Sequence, residues 1–498
     1  MKTRFSPVAP LFHIDSYKLD HRRVAELAGH VEKMYSNFTN RGSRIEDIDH
    51  VVHFGLRAFL QNYAIDSFVP FFEASEDEVA ALYEERVTQV VGPNDIGSDH
   101  IRALHRLGYL PLQFAAVPEG TPVPLRVPSF TVENTIPEFH WLTNYIESVL
   151  SSSVWQASTS ATIAHRLRKY LDKEALETSG QIATVDWQGH DFSYRGMSSS
   201  ETAAASGAGH LLSFTGTDSL VSLDWVDYFY PSEYGAENGL IGGSVPATEH
   251  SVMCVGIETL GERELFNRTL DLYPTGIFSM VSDTFNLWTV LTDFLPSLKE
   301  KILARDGRLV VRPDSGDPVL ILTGNPDAEA GSPENKGVVQ LLWETFGGNV
   351  NEQGYKELDT HVGVIYGDSI TFDRAHSIIE KLKENGFAST NVVLGVGSFT
   401  YQYNTRDTFA SAMKATYTEV DGKAHNLRKD PITDSGLKKS ATGRLAVALN
   451  DEGDMYLIEN ATAEQEAASL LQPVWKDGEF ITTQSFADVR KVLADSKF

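Results

Sequence analysis

Apolar and polar positions change their spacing along this chain, and each change predicts a different kind of element. Between Glu76 and Val91 the apolar residues fall at helical spacing, with Val79, Leu82 and Tyr83 at i, i+3 and i+4. Ser75 and Glu78 are spaced as a capping box and Gly92-Pro93 ends the run, so a helix is predicted over 76–91. From Gly108 to Thr135 the pattern becomes short β-like runs broken by Pro111, Pro118, Pro122, Pro124 and Pro128, which predicts an antiparallel, turn-rich module. Thr159 to Leu176 predicts a helix, after which strand-like and helical stretches alternate. The strand-like ones are Thr184–Gly196, Ile277–Asp283, Leu309–Arg312, Val362–Tyr366 and Asn391–Leu394. The others are a small-residue segment Glu201–His210, a helical run to Lys301, and Phe372–Asn385, ended by Gly386. Such alternation predicts a parallel sheet or barrel whose functional loops lie at the carboxyl ends of the strands. The polar stretch Thr323–Gly337 is predicted to be an exposed loop interrupting the second half of that region.

Composition narrows the classes. A chain of 498 residues is long enough for two or three cores at roughly 100 to 200 residues each. Its formal charge of −26, from 68 acidic and 42 basic residues, disfavours a general nucleic-acid or anionic-membrane surface, since both are polyanions. Any phosphate ligand must therefore meet a local cluster of Arg and Lys. Cys254 is the only cysteine, which excludes an intramolecular disulfide and a cysteine cage for a metal. The N-terminal stretch lacks the apolar core of a signal peptide and no run is long enough to span a membrane, so a cytoplasmic protein is expected.

Chemistry-bearing residues collect where strands are predicted to end. Arg312-Pro313-Asp314-Ser315-Gly316 follows one apolar run, Gly367-Asp368-Ser369 a second and Gly395-Val396-Gly397-Ser398 a third. Glycine lets backbone N–H groups approach a phosphate closely, and a helix N-terminus favours an anion. Arg41, Arg406 and Lys414 are candidate phosphate partners in so acidic a chain. Neither a GxGxxG fingerprint nor a GxxxxGK[ST] loop is present, which disfavours a nicotinamide dinucleotide redox cofactor and a P-loop kinase. His250 follows a Pro-containing turn and Glu249; on these local grounds alone it reads as structural, and no HExxH supports zinc.

At His190-Asp191-Phe192-Ser193-Tyr194-Arg195-Gly196 the chain resembles the nicotinamide phosphoribosyltransferase family, and the likeness runs through most of its length. Asp15-Ser16-Tyr17-Lys18, the stretch from Tyr35 to Arg41, Gly216-Thr217-Asp218, Ser244 to His250, Val281-Ser282-Asp283, Arg312 to Gly316, Gly367-Asp368, Thr405-Arg406-Asp407, Lys429-Asp430-Pro431 and Gly443-Arg444-Leu445 match its motifs in order. The resemblance implies an α/β fold in which an irregular α/β-barrel-like type II phosphoribosyltransferase domain (159–400) joins a β-rich second domain built from 1–158 and 401–498. It also implies condensation of nicotinamide with 5-phosphoribosyl 1-pyrophosphate to nicotinamide mononucleotide and pyrophosphate, with Mg²⁺, with ATP as co-substrate, and with active sites shared across a homodimer.

The resemblance also implies roles. Phe192 and Tyr17 of the partner subunit sandwich the pyridine ring, while Asp218 accepts from the carboxamide and repels the carboxylate of nicotinic acid. Arg195 and Arg312 face the ribose phosphate and the carboxamide side, and Gly367, Asp368, Gly397 and Ser398 line the phosphoribosyl site. Arg41, Arg195, Arg406 and Lys414 take phosphates. His250 matches the histidine that the family phosphorylates with ATP, Asp283 orients it, and Asp314 with Asp283 positions Mg²⁺. Where the family has consecutive glycines this chain has Gly395-Val396-Gly397-Ser398-Phe399, which places Phe399 beside the phosphate loop. A nicotinate phosphoribosyltransferase is the alternative nearest in chemistry, and it would want a neutral or cationic group at Asp218; a non-catalytic nucleotide-binding scaffold is the alternative of a different class.

Overall fold

The computed structural model describes residues 6–230, 240–367, 369–431, 433 and 439–497. Two compact units emerge: Met1–Thr162 with Trp225–Tyr234 and Asn404–Phe498, and Ile163–Asp224 with Gly235–Tyr403.

The first unit is organised on an antiparallel seven-stranded sheet ordered Lys423–Asn426, Ser411–Val420, Val31–Asn40, Pro128–Asn134, Leu112–Ala116, Gln472–Lys476 and Glu479–Phe480. Phe38 and Phe130 are directly paired across neighbouring strands, with ring centroids 4.8 Å apart and planes 6° from parallel, a contact that helps to fix the register. Helix Glu76–Val91 forms where the apolar spacing predicts it; Ser75 accepts from the Glu78 amide at its start and Gly92 ends it. Its Val79, Tyr83 and Val87 enter the same core as Phe38 and Phe114.

The second unit is built on six parallel strands: β1 Gly189–Asp191, β2 Gly216–Thr217, β3 Thr275–Val281, β4 Asp306–Arg312, β5 Val362–Tyr366 and β6 Val392–Val396. Their spatial order is β2-β1-β6-β5-β4-β3. The curled sheet is completed by residues 243–248. Thr217 N–H donates to Gly243 O at 2.9 Å on one side, and Ser279 N–H donates to Pro246 O at 3.0 Å on the other. This irregular stretch thus spans the gap between the edge strands β2 and β3.

Alternation along each strand sorts side chains between two environments. Leu309 and Val311 of β4, Phe278 and Met280 of β3, and Val392 and Leu394 of β6 belong to the apolar core of this unit. The intervening Val310, Arg312, Ile277, Ser279 and Val393 line a cavity instead. Several of these inward side chains are short, and they leave space of about 150 Å³.

Three predicted boundaries are corrected. The helix expected over 159–176 runs over Glu147–Ser179, because the Ser-rich start that reads as loop satisfies its own hydroxyls: Ser152 and Ser153 both donate to Val149 O. The loop expected over 323–337 ends early, since Ser332 caps a helix over Pro333–Phe346 by accepting from the Asn335 amide. The strand expected over 184–196 is only Gly189–Asp191, with short 3-10 turns at Val185–Trp187 and Tyr194–Gly196.

Candidate active site

Because all six strands run the same way, the residues that follow them share one rim: Phe192 after β1, Asp218 after β2, Asp283 after β3, Asp314 after β4, Gly367 after β5 and Gly397 after β6. The cavity below that rim is lined by Phe192, Asp218, His190, Ser244, Arg312 and the inward aliphatic residues already described. Phe192, Asp218 and Arg312 therefore share one cavity, as the motifs predict.

Phe192 is anchored by its own amide, which donates to Val396 O at 2.9 Å. A Cβ at Gly395 would stand 3.0 Å from the Phe192 ring and 2.5 Å from Tyr366 O, so glycine is needed there for the close approach. The Arg312 guanidinium lies 5.2 Å from the centroid of the same ring, within cation–π range. It forks onto Asp314 through Nε–Oδ1 and Nη2–Oδ2 contacts, both of 3.0 Å.

Asp218 Oδ1 receives two donors, His190 Nε2 at 2.9 Å and Ser244 Oγ at 2.5 Å. Burial, the largest influence on this carboxyl, pushes its pKa up. The bonds from His190 and Ser244, with the Arg312 charge, outweigh burial and hold it below the usual carboxylate range. A negative charge thus stands in the same cavity as the stacking ring. His190 and Ser244 are contributors that the motifs contain but do not explain. The signal for His190 is its position two residues before Phe192, on the same face of the strand.

Near the rim, His250 Nε2 lies 3.8 Å from Asp283 Oδ1 and 3.8 Å from Asp314 Oδ2. These are ion-pair distances and not hydrogen bonds, so the imidazole stands between two carboxylates without being fixed by either. Asp283 Oδ2 accepts from the Asp314 and Ser315 amides at 2.9 and 2.8 Å, while its Oδ1 is buried without a partner. Gly367 is held close: a Cβ there would fall 1.9 Å from Asp314 Oδ1 and 2.7 Å from Arg312 Nε. Asp368 lies outside the described residues. Arg195 is exposed on the turn after β1, and Ser398 opens the short helix Ser398–Tyr401 after Gly397. Phe399 stacks on Tyr403 at 4.8 Å and 9°, and it is not among the residues lining the cavity. Among the described residues no group of three or more His, Cys, Asp or Glu side chains is arranged to hold a metal.

The remaining predicted residues belong to the first unit. Tyr17 is 65% exposed on a 3-10 turn, against the core burial ordinary for an aromatic; Phe38, which the same motifs contain, is a core residue at 2%. Arg41 Nε donates to Ala410 O at 3.4 Å, Arg406 pairs with Asp407 at 3.0 Å, and Lys414 Nζ lies 3.9 Å from Glu147. Arg41 and Lys414 line a second cavity, of about 170 Å³, with Arg126 and Lys439. The Lys414 pKa is lowered, first by burial and then by the charges of Arg41, Lys429 and Arg406. Cationic side chains thus gather in one cavity of an otherwise acidic chain.

Comparison with known proteins agrees with this fold. Residues 187–479 match the profile of the nicotinate phosphoribosyltransferase (NAPRTase) family. The chain is 47% identical to the nicotinamide phosphoribosyltransferase of Acinetobacter baylyi, over 98% of this chain and 97% of that one. It is 34% identical to the nicotinamide phosphoribosyltransferase of Mycoplasma pneumoniae, over 87% and 94%. Among solved structures, a nicotinate-nucleotide pyrophosphorylase from Pyrococcus furiosus superposes with a TM-score of 0.57 at 15% identity, covering 99% of this chain and 97% of that one. Human nicotinic acid phosphoribosyltransferase gives 0.50 at 17%, covering 96% and 92%. The sheet with its chemical rim, the ordered motifs and these matches lead to one assignment: the chain belongs to the nicotinate phosphoribosyltransferase family and is a phosphoribosyltransferase.

Proposed function

We propose that this enzyme condenses nicotinamide with 5-phosphoribosyl 1-pyrophosphate, giving nicotinamide mononucleotide and pyrophosphate as an entry to NAD salvage. The observation that carries the reading is the ionised Asp218 in the cavity that Phe192 lines. A carboxylate accepts from the carboxamide NH₂ of nicotinamide and repels the carboxylate of nicotinic acid, so the base with the neutral substituent is favoured. The names of the two relatives support the same base.

In the reaction the pyridine nitrogen donates its lone pair to C1 of the ribose while the C1–O bond breaks and its electron pair leaves with pyrophosphate. Catalysis of such a displacement consists mainly of alignment and of stabilising the departing anion. Phe192 presents the ring, and Tyr17 of the partner subunit covers its other face; the exposure of the Tyr17 ring supports this dimeric arrangement. Arg195 and Arg312 with the Gly367 and Gly397–Ser398 turns hold the ribose phosphate, and Arg41, Arg406 and Lys414 receive the pyrophosphate.

Magnesium fits the residues present. Asp283 has a buried oxygen without a partner, whereas both oxygens of Asp314 are engaged by Arg312, so Asp283 would be the principal holder and Asp314 the second. When bound, the ion would screen charge on the pyrophosphate. His250, nearly half exposed, takes the γ-phosphoryl group of ATP on an imidazole nitrogen as the bond to the bridging oxygen breaks and its electron pair leaves with ADP, and Asp283 and Asp314 stabilise the imidazole as it gains charge. A cytoplasmic setting is consistent with the absence of any described helix long and apolar enough to cross a membrane.

The decisive experiment measures product from each pyridine base with and without ATP. Faster turnover of nicotinamide supports the reading, and a preference for nicotinic acid overturns the role of Asp218. Acid-labile label from γ-labelled ATP, absent in His250→Ala, supports the phosphohistidine; an unlabelled native enzyme rejects it.

A further inference from the structure

We infer that His190 and Ser244 are the positioning residues that set base selectivity, by tying down one oxygen of Asp218 and dedicating the other to the substrate amide; the inference rests on the proposed reading of Asp218. Both donors converge on the same atom. His190 Nε2 and Ser244 Oγ reach Oδ1 at 2.9 and 2.5 Å, and among the described residues no hydrogen bond engages Oδ2. An oxygen that accepts two donors has no ready capacity for a third, so an amide entering the cavity meets Oδ2. An untethered carboxylate could turn either oxygen to the ligand or rotate toward Arg312, whose charge already acts on it.

The tether is itself held from both sides. His190 is a buried side chain of β1, and a Cβ at Gly216 on neighbouring β2 would stand 2.7 Å from its Nδ1, so the ring is pressed against bare backbone. Phe192, at 4.6 Å between centroids, limits the ring on another side. A carboxylate can only accept, so Nε2 is the donor in this pair. Ser244 belongs to the irregular stretch that bridges β2 and β3, so its hydroxyl comes from a different wall of the cavity than His190. Two donors on two walls leave the carboxylate one orientation. A glutamine at 190 can place an amide N–H where Nε2 stands. An asparagine cannot, since its amide mimics Nδ1, which faces Gly216.

The test compares kcat/KM for nicotinamide and for nicotinic acid in full-length native enzyme, His190→Ala, His190→Gln, His190→Asn and Ser244→Ala, together with KM for 5-phosphoribosyl 1-pyrophosphate. The expected result is a nicotinamide-to-nicotinate ratio that falls by about tenfold in His190→Ala, His190→Asn and Ser244→Ala and returns toward native in His190→Gln, with an unchanged donor KM. A ratio that stays native in both alanine variants overturns the inference, as does equal rescue by asparagine and glutamine. Ser244→Ala removes a single hydroxyl and keeps the test decisive should a His190 variant fail to fold. A native enzyme that prefers nicotinic acid overturns the reading of Asp218 itself, which the selectivity of the variants alone cannot do.

Discussion

At the scale of single residues the site depends on where charge is kept and where it is cancelled. Arg312 is paired with Asp314 through its fork, whereas Asp218 keeps its negative charge although burial opposes it. Asp218→Asn preserves shape and removes that charge, so the ratio of kcat/KM for nicotinamide over nicotinic acid is expected to fall by at least about tenfold, the equivalent of ~1.4 kcal/mol. An Asn variant with the original base preference would sink this account. The meeting of these side chains was legible in the sequence: Phe192, Asp218 and Arg312 stand out in the motifs and line a single cavity. The tether on Asp218 was not, because His190 and Ser244 are far from it in the chain and meet it only once β1, β2 and the bridging stretch lie side by side. Tyr17 also escaped the ordinary expectation, since an aromatic residue is usually buried and this one is 65% exposed.

At the scale of elements, six parallel strands bring their following turns to one rim, and the narrowest of these turns is the most demanding. Gly367 leaves no room for a Cβ beside Asp314 and Arg312. Gly367→Ala is expected to keep native circular dichroism while kcat falls by roughly a hundredfold, because displacing a positioning pair by about 1 Å is costly. Near-native kcat in that variant would show the Arg312–Asp314 fork to be dispensable. The alternation of strand-like and helical stretches announced the parallel sheet, since inward and outward faces of β3, β4 and β6 differ residue by residue. The bridging stretch over 243–248 was illegible, because it pairs through isolated bridges and carries no alternation of its own. The start of helix Glu147–Ser179 was hidden for another reason: serines that favour turns in isolation are here bonded back to the helix.

At the scale of the whole molecule, the proposed sharing of sites predicts complementation. Tyr17→Ala and Phe192→Ala homodimers are each expected to be inactive or nearly so, and unfolding and refolding them together should restore activity, because a mixed dimer contains one intact pairing of Phe192 with Tyr17 of the partner subunit. Mixtures that remain as inactive as their parents would argue for a site within one chain. Acid stability is a second property of this scale. Burial lowers the pKa of both His53 and His100 from 6.5 to about 3. The unfolded chain therefore takes up protons first, and stability, complete above pH 6.5, falls as pH drops toward 3 by about 1.4 kcal/mol per unit for each histidine. His53→Gln should flatten the decline of Tm with acid, and an unchanged slope would exclude His53 as a source. The division into two units was only partly legible, since Trp225–Tyr234 is drawn into the first unit from the middle of the second. The stretch from Gly243 to His250 has a further consequence. One strip of chain carries the hydroxyl that steadies Asp218, a carbonyl 3.4 Å from Arg312 at Thr248, and the imidazole that stands between Asp283 and Asp314. Evolution can hardly retune one of these duties alone, for an insertion or deletion anywhere along the strip moves all three together.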